Sequence, residues 1–176
     1  MLACPAAGLA RLRSRKGRAI SISRAGPGDA EALAAMLGAL SRETVARRYL
    51  TPAAMSPERA RAEAARLARP DASRVVLVAR AGDGAAPIVA IGELARDGAA
   101  PSVAEGAIVV ADAYQREGIG RAVADELADA ARRAAVSTVR ATILAENTAV
   151  RRLIASLGRP YTVRHWRGEL HVEIAV

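Results

Sequence analysis

The sequence predicts a single mixed α/β domain with a mostly antiparallel central sheet, its elements in the order β-α-α-β-β-β-α-β-α-β-β. Between residues 74 and 110, three apolar runs follow one another across short turns, the pattern of an antiparallel meander. Residues 118–135 and 148–157 instead carry apolar side chains at helical spacing. No repeat or internal linker divides the chain, and its 176 residues suit one domain, or one domain with an arm.

Residues 19–24 alternate apolar and polar and read as the first strand. Gly26-Pro27-Gly28 is a turn, and Asp29 can cap a helix whose apolar face is Leu33, Met36, Leu37 and Leu40. Ser56-Pro57-Glu58 starts a second helix: Ser at the cap, Pro at the first position, and an acid near the positive end of the helix dipole. That helix ends before Pro70. Residues 74–79 form a β-branched run of the kind buried in a sheet. Asp83-Gly84 then turns into a strand over 88–94, and Asp97-Gly98 into one over 103–110. In the helix over 118–135, Ile119, Val123, Leu127 and Ala131 recur at steps of four, and a strand over 139–144 follows. The last helix, 148–157, has Val150, Leu153, Ile154 and Leu157 on one face and Gly158 at its end. Beyond Pro160 the chain is strand-like again, and residues 169–176 alternate strictly, as a half-buried strand does.

Hydrophobic residues make up 52% and charged residues 25%, which is globular and not disordered. A single cysteine, Cys4, excludes a disulfide framework and a Cys-rich zinc site. Two histidines, His165 and His171, give no basis for a His-based metal centre, so no metal is expected. No apolar run approaches the ~20 residues of a membrane span. Missing signals and low cysteine point to the cytoplasm. The net charge of +8 is local, because residues 1–18 hold Arg11, Arg13, Arg15, Lys16 and Arg18 and no acid. Taking those five charges off the total of +8 leaves +3, weak grounds for a nucleic-acid partner. Residues 1–18 are expected to be a basic, disordered arm, with a polyanion-binding or targeting arm as the alternatives, and residues 19–176 the domain.

The chemistry concentrates in residues 108–121, Ile-Val-Val-Ala-Asp-Ala-Tyr-Gln-Arg-Glu-Gly-Ile-Gly-Arg. An apolar strand enters a short loop, and Gly118 and Gly120 open a helix. A helix start offers unpaired N–H groups and a positive dipole end. Glycines let that backbone approach an anion, and Arg116 and Arg121 add charge, so the segment reads as a phosphate cradle. It lacks the Gly-Lys-Ser/Thr of a P-loop and the third glycine of a dinucleotide fingerprint. A plain helix cap is the alternative.

Gln115-Arg-Glu-Gly118-Ile-Gly120, then a strand, Leu144-Ala-Glu-Asn147 and a short helix ending in Leu157-Gly158, resembles the GCN5-related N-acetyltransferases (GNAT), whose pyrophosphate signature is Gln/Arg-x-x-Gly-x-Gly/Ala. The likeness runs over residues 20–176. It implies the acyl-CoA N-acyltransferase fold, acetyl-CoA as acyl donor and an amine as acceptor. It implies a cofactor site of Ile108, Val109, Val110, Gln115, Arg116, Glu117, Gly118, Ile119, Gly120 and Arg121, with Asn147 on the pantetheine arm. A finer likeness, to the acetyltransferase domain of bacterial protein-lysine acetyltransferases, rests on Leu40-Ser-Arg-Glu-Thr-Val-Ala-Arg-Arg-Tyr49-Leu and on Ala104-Glu105-Gly-Ala-Ile-Val-Val-Ala-Asp112-Ala-Tyr-Gln115. It implies a protein lysine as preferred acceptor and a monomer or homodimer. A small-molecule amine or a protein N-terminus is the alternative acceptor, and a non-catalytic acyl-CoA-binding module the alternative function.

In that family an amine attacks the thioester directly. A free lysine, with pKa ~10.4, is under 1% neutral at pH 7, so a base is needed. The resemblance puts Glu105 in that role, with Glu93 as rival. Glu105 lies four to five residues before Val109 and Val110, ~13–17 Å along a strand, which suits a base acting through water. The resemblance also implies that a strand N–H freed by a bulge, at Val109 or Val110, faces the developing oxyanion. The family's leaving-group Tyr is replaced by Ile154, leaving water, Tyr114 or Tyr161 as proton source, or none. The family's Gly-Phe after the second helix is Gly158-Arg159 here.

Overall fold

The computed structural model describes residues 10–69 and 71–176. Its strands are β1 (Ala10–Arg13), β2 (Ala19–Arg24), β3 (Arg74–Arg80), β4 (Ile88–Arg96), β5 (Val103–Val110), β6 (Thr138–Leu144), β7 (Tyr161–Trp166) and β8 (Glu169–Ala175). Its helices are α1 (Ala30–Gly38), α2 (Arg42–Tyr49), α3 (Pro57–Ala68), α4 (Ile119–Arg133) and α5 (Thr148–Ser156). All eight strands join one sheet in the order β1-β2-β3-β4-β5-β6-β8-β7. Every neighbouring pair is antiparallel except β5 and β6. This is the mixed, mostly antiparallel sheet the sequence predicts.

Alternation along each strand divides the core into two layers. On one face Ala90, Leu94, Ala104 and Ile108 pack with Ile119, Val123, Leu127 and Ala131 of α4. Farther along that face, Ile143, Leu170, Val172 and Ile174 pack with Ile154 of α5. On the other face Val76, Val78, Ile91 and Val109 meet Leu33, Leu37, Val45 and Leu67 of α1, α2 and α3. These helices cover the β2–β5 half. The same face of β6, β8 and β7 carries Arg140, Thr142, His171, Glu173, Thr162 and Arg164, and borders an open cavity.

Two features depart from expectation. Residues 10–18 are not a disordered arm: β1 pairs with β2 from Ala10↔Ile22 to Arg13↔Ala19. Ala10 and Leu12 pack on the α4 layer and Ser14 is buried, so burial outweighs the clustered charge. The rest of the expected arm, with Cys4, lies outside the described residues. The second departure is α2, which was not anticipated. Its cap is local, since Ser41 Oγ accepts from the Thr44 N–H, just as Ser56 Oγ accepts from the Arg59 N–H at the start of α3.

Candidate active site

The parallel pair β5–β6 opens like a V. Pairing holds only for Val103↔Thr138, Ala104↔Val139 and Glu105↔Arg140, while β5 stays in register with β4 as far as Ala90↔Val110. The Ala111 N–H donates to Val89 C=O (2.8 Å) and the Asp97 N–H to Val103 C=O (2.9 Å). In an antiparallel ladder this alternation turns the odd-numbered backbone groups of β5 toward β4. Gly106, Ile108 and Val110 therefore point theirs into the opening. The pairing of β4 with β5 is continuous, and the irregularity falls instead between Ala79 and Arg80 of β3. The expected bulge in β5 is thus absent, and Val109 faces the ladder with its side chain buried under the α1–α3 layer. Gly106 marks the point of divergence: a Cβ there would lie 2.6 Å from Val139 Cγ1, so β6 rests on bare backbone.

The first turn of α4 stands beside this opening. A Cβ on Gly120 would lie 3.5 Å from Val110 Cγ2 and 3.9 Å from Leu153 Cδ2, which puts that turn between β5 and α5. Gly118 is the N-cap with φ +88°, a left-handed conformation that glycine adopts without strain. The helical ladder begins with the Ala122 N–H on Gly118 C=O (3.1 Å), so the N–H groups just before it have no intrahelical partner. The loop is braced from α2. Gln115 Nε2 donates to Val110 C=O (3.1 Å) and Thr44 Oγ1 (3.2 Å). Asp112 accepts from the Ser41 N–H (3.0 Å), Ser41 Oγ (2.7 Å) and Thr44 Oγ1 (2.7 Å). Burial alone would raise the Asp112 carboxyl, but these bonds hold it below its ordinary value.

Several side chains are committed elsewhere than expected. Ile119 is buried in the α4 layer, leaving only its backbone at the helix start. Glu117 is buried and ion-paired with Lys16 and Arg18. Arg121 bonds Asp125 (2.8 Å) and the Ser156 carbonyl at the end of α5. Arg116 is exposed, with φ +61°. Asn147 is 3% exposed, and its Oδ1 caps α5 by accepting from the Val150 N–H (3.3 Å). Of the alternative proton donors, Tyr114 lies under Arg18 (4.7 Å to the ring centroid). Tyr161 is opposite Ile174, and Ile174 is opposite Val139, at the closed end of the V. Ile154 is buried between α5 and the sheet. Tyr49 packs against α3 with its hydroxyl on Glu63 (3.3 Å), and burial, with Glu63, pushes that hydroxyl up to about 12.

Glu105 and Glu93 lie on the α1–α3 face of adjacent strands. Glu105 is exposed where β5–β6 pairing ends, and it lines a cavity of about 940 Å³ with Arg140, Thr142, Arg164, Trp166 and His171. Its lateral neighbour Arg140 is paired with Glu173 (2.9 Å) and Asp97 (3.8 Å). Glu93, 8% exposed, is gripped by Arg48 (2.9 Å), Arg66 (2.6 Å) and Arg74 (3.6 Å). Burial works to raise its carboxyl, but the Arg66 bonds and the three guanidinium charges hold it below its ordinary value. His165, Trp166 and His171 join this cavity only through the β5-β6-β8-β7 order. No local spacing could have signalled that.

The site thus offers an open strand edge leading to a helix start whose first N–H groups have no intrahelical partner, which suits an extended, amide-bearing ligand with an anionic end. The family model of the acetyltransferase (GNAT) domain matches residues 20–159, and the chain belongs to the GNAT acetyltransferase family. No curated protein sequence matches it. Among solved structures, the GNAT domain of S. lividans PAT is 24% identical, with a TM-score of 0.81 over 95% of this chain and 96% of that one. A cAMP-binding acyltransferase from Mycobacterium smegmatis is 25% identical with a TM-score of 0.63; the match covers 95% of this chain but 46% of that one. Spermidine N-acetyltransferase from Vibrio cholerae, in complex with CoA and spermine, is 14% identical with a TM-score of 0.66, covering 89% and 94%. Among the described residues, no helix is long and apolar enough to cross a membrane.

Proposed function

We propose that this chain transfers the acetyl group of acetyl-CoA to a primary amine in a ternary complex, with a protein lysine, in the cytoplasm, as preferred acceptor. The observation that carries the reading is the V between β5 and β6, which runs from the first turn of α4 to Glu105. Ile108 and Val110 offer backbone groups to the pantetheine amides. The N–H groups of residues 118–121 receive the diphosphate, and Arg116 adds charge. Glu105 takes the proton of the attacking ammonium through water. The amine nitrogen then bonds to the thioester carbon, the carbon–sulfur bond breaks, and the surplus proton of the nitrogen passes through water to the departing CoA thiolate. A free N–H of β5 faces the carbonyl oxygen as negative charge builds on it.

A protein acceptor is favoured by the shape and charge of the cavity. It opens along β7, all of whose residues are exposed, so a chain can lie across it. Its acids Asp97, Glu105 and Glu173 are matched by Arg96, Arg140 and Arg164, which does not favour a small polycation. The likeness of residues 40–50 and 104–115 to protein-lysine acetyltransferases points the same way.

The reading is tested by CoA release with a panel of lysine peptides, peptide N-termini and polyamines. Turnover is expected with lysine peptides, and its absence for all of them would remove the lysine assignment. Gly120→Asp places a carboxylate beside the diphosphate and is expected to abolish acetyl-CoA binding. Unchanged affinity would remove the cofactor site.

A further inference from the structure

The turn between β1 and β2 closes over the loop that precedes α4, and the contact is specific. The Glu117 carboxylate, 1% exposed, accepts from Ser14 Oγ (2.7 Å) and pairs with Lys16 Nζ (3.3 Å) and Arg18 Nε (3.5 Å). The main chain joins in, as the Arg15 N–H donates to Glu117 C=O (2.9 Å). Ser14 Oγ also accepts from the N–H groups of Lys16 and Arg18 (3.3 Å each), so one buried hydroxyl ties the turn to itself and to the loop. The Ser14 bond, working against burial and helped by Lys16 and Arg18, holds the Glu117 carboxyl below its ordinary value. A bare carboxylate here would repel an anion at the start of α4. Lys16 and Arg18 neutralise it.

Arg15 lies next to the helix start itself. A Cβ on Gly118 would be 3.8 Å from Arg15 Cγ and 3.9 Å from Arg15 Nε. The Arg15 side chain is exposed and makes no ion pair among the described residues. A guanidinium beside unpaired helix N–H groups matches the geometry of a phosphate, which it can bind with two parallel hydrogen bonds.

We propose that the β1–β2 turn is a working part of the cofactor site, with Glu117 as the positioning residue that fastens the turn to the loop and Arg15 as a ligand of the cofactor's phosphate groups. This rests on the reading of that loop as the diphosphate site of acetyl-CoA. Residues that the composition assigned to an arm thereby enter the binding machinery.

The experiment is calorimetric titration of the full chain with CoA and with dephospho-CoA, for the wild type, Arg15→Ala, Arg15→Lys, Glu117→Ala and Gly120→Asp. Arg15→Ala is expected to weaken CoA binding about tenfold, the effect of losing a charge-assisted bond, with an unchanged melting temperature. Arg15→Lys should recover part of the loss. In turnover assays KM for acetyl-CoA should rise while kcat at saturation stays the same. Loss toward both ligands assigns Arg15 to the diphosphate, and loss toward CoA alone assigns it to the 3′-phosphate; either supports the proposal. Glu117→Ala should weaken both ligands and lower the melting temperature. Wild-type affinity in Arg15→Ala, alongside lost binding in Gly120→Asp, would overturn the role of the turn and leave the diphosphate site standing. A wild type that binds neither ligand would overturn both.

Discussion

Glu93 and Glu105 sit on neighbouring strands, on the same face of the sheet, in opposite surroundings. Glu93 is buried beneath α2 and α3 and held by three arginines. Glu105 stands at the mouth of the β5–β6 opening, exposed, beside an arginine that is paired elsewhere. A carboxylate stabilised by three guanidinium groups gives up much of that stabilisation when it takes a proton, so it is a poor base and a good anchor. Glu93 joins α2 and α3 to the sheet. Glu105 makes none of those bonds and is exposed where it lines the cavity. The two residues differ both in their place relative to the opening and in their partners.

The contrast yields four outcomes in falling order of size. Glu105→Gln is expected to cut turnover by roughly 10²–10⁴ while acetyl-CoA affinity and melting temperature stay at wild-type values, read from CoA release, calorimetry and thermal melts. Glu93→Gln leaves Arg48 without a carboxylate partner, while Arg66 keeps Glu63 and Arg74 keeps Asp71, and it is expected to cost about 3 kcal/mol in urea unfolding, with turnover per folded molecule down less than about tenfold. The third outcome concerns pH. The Glu93 carboxyl lies below its ordinary value of 4.5 in the folded chain, so below that pH the unfolded chain takes up the proton first. Its contribution is complete above the ordinary value and is lost as pH falls through the folded one. The urea midpoint should therefore hold at neutral pH and drop in acid, and the drop should be shallower in Glu93→Gln. Smallest is Arg140→Ala, which removes an exposed pair with Glu173 and should change turnover by less than about threefold.

What the sequence made legible follows the range of each interaction. Helix α4, with Ile119, Val123, Leu127 and Ala131 on its buried face, was readable from spacing alone, because helical periodicity is local. The glycines at its start were readable because a motif of six residues encodes them, and Glu105 through its place in a resembling segment. The side-chain partners of Glu117 were not legible, because Ser14 lies 103 residues away and no pattern links the two. The β1 strand was hidden by charge: in Ala10-Arg-Leu-Arg13 the two arginines outweigh an alternation of only four residues. Val109 and Val110 could not be told apart until the register with β4 fixed which backbone groups face the opening.

The most direct measurement sets the two carboxylates against each other. It is kcat for Glu105→Gln and Glu93→Gln on the same lysine peptide at saturating acetyl-CoA, each corrected for its folded fraction. The account predicts that Glu105→Gln is the slower by at least about tenfold, as loss of a general base requires. Equal rates, or a slower Glu93→Gln, would contradict it.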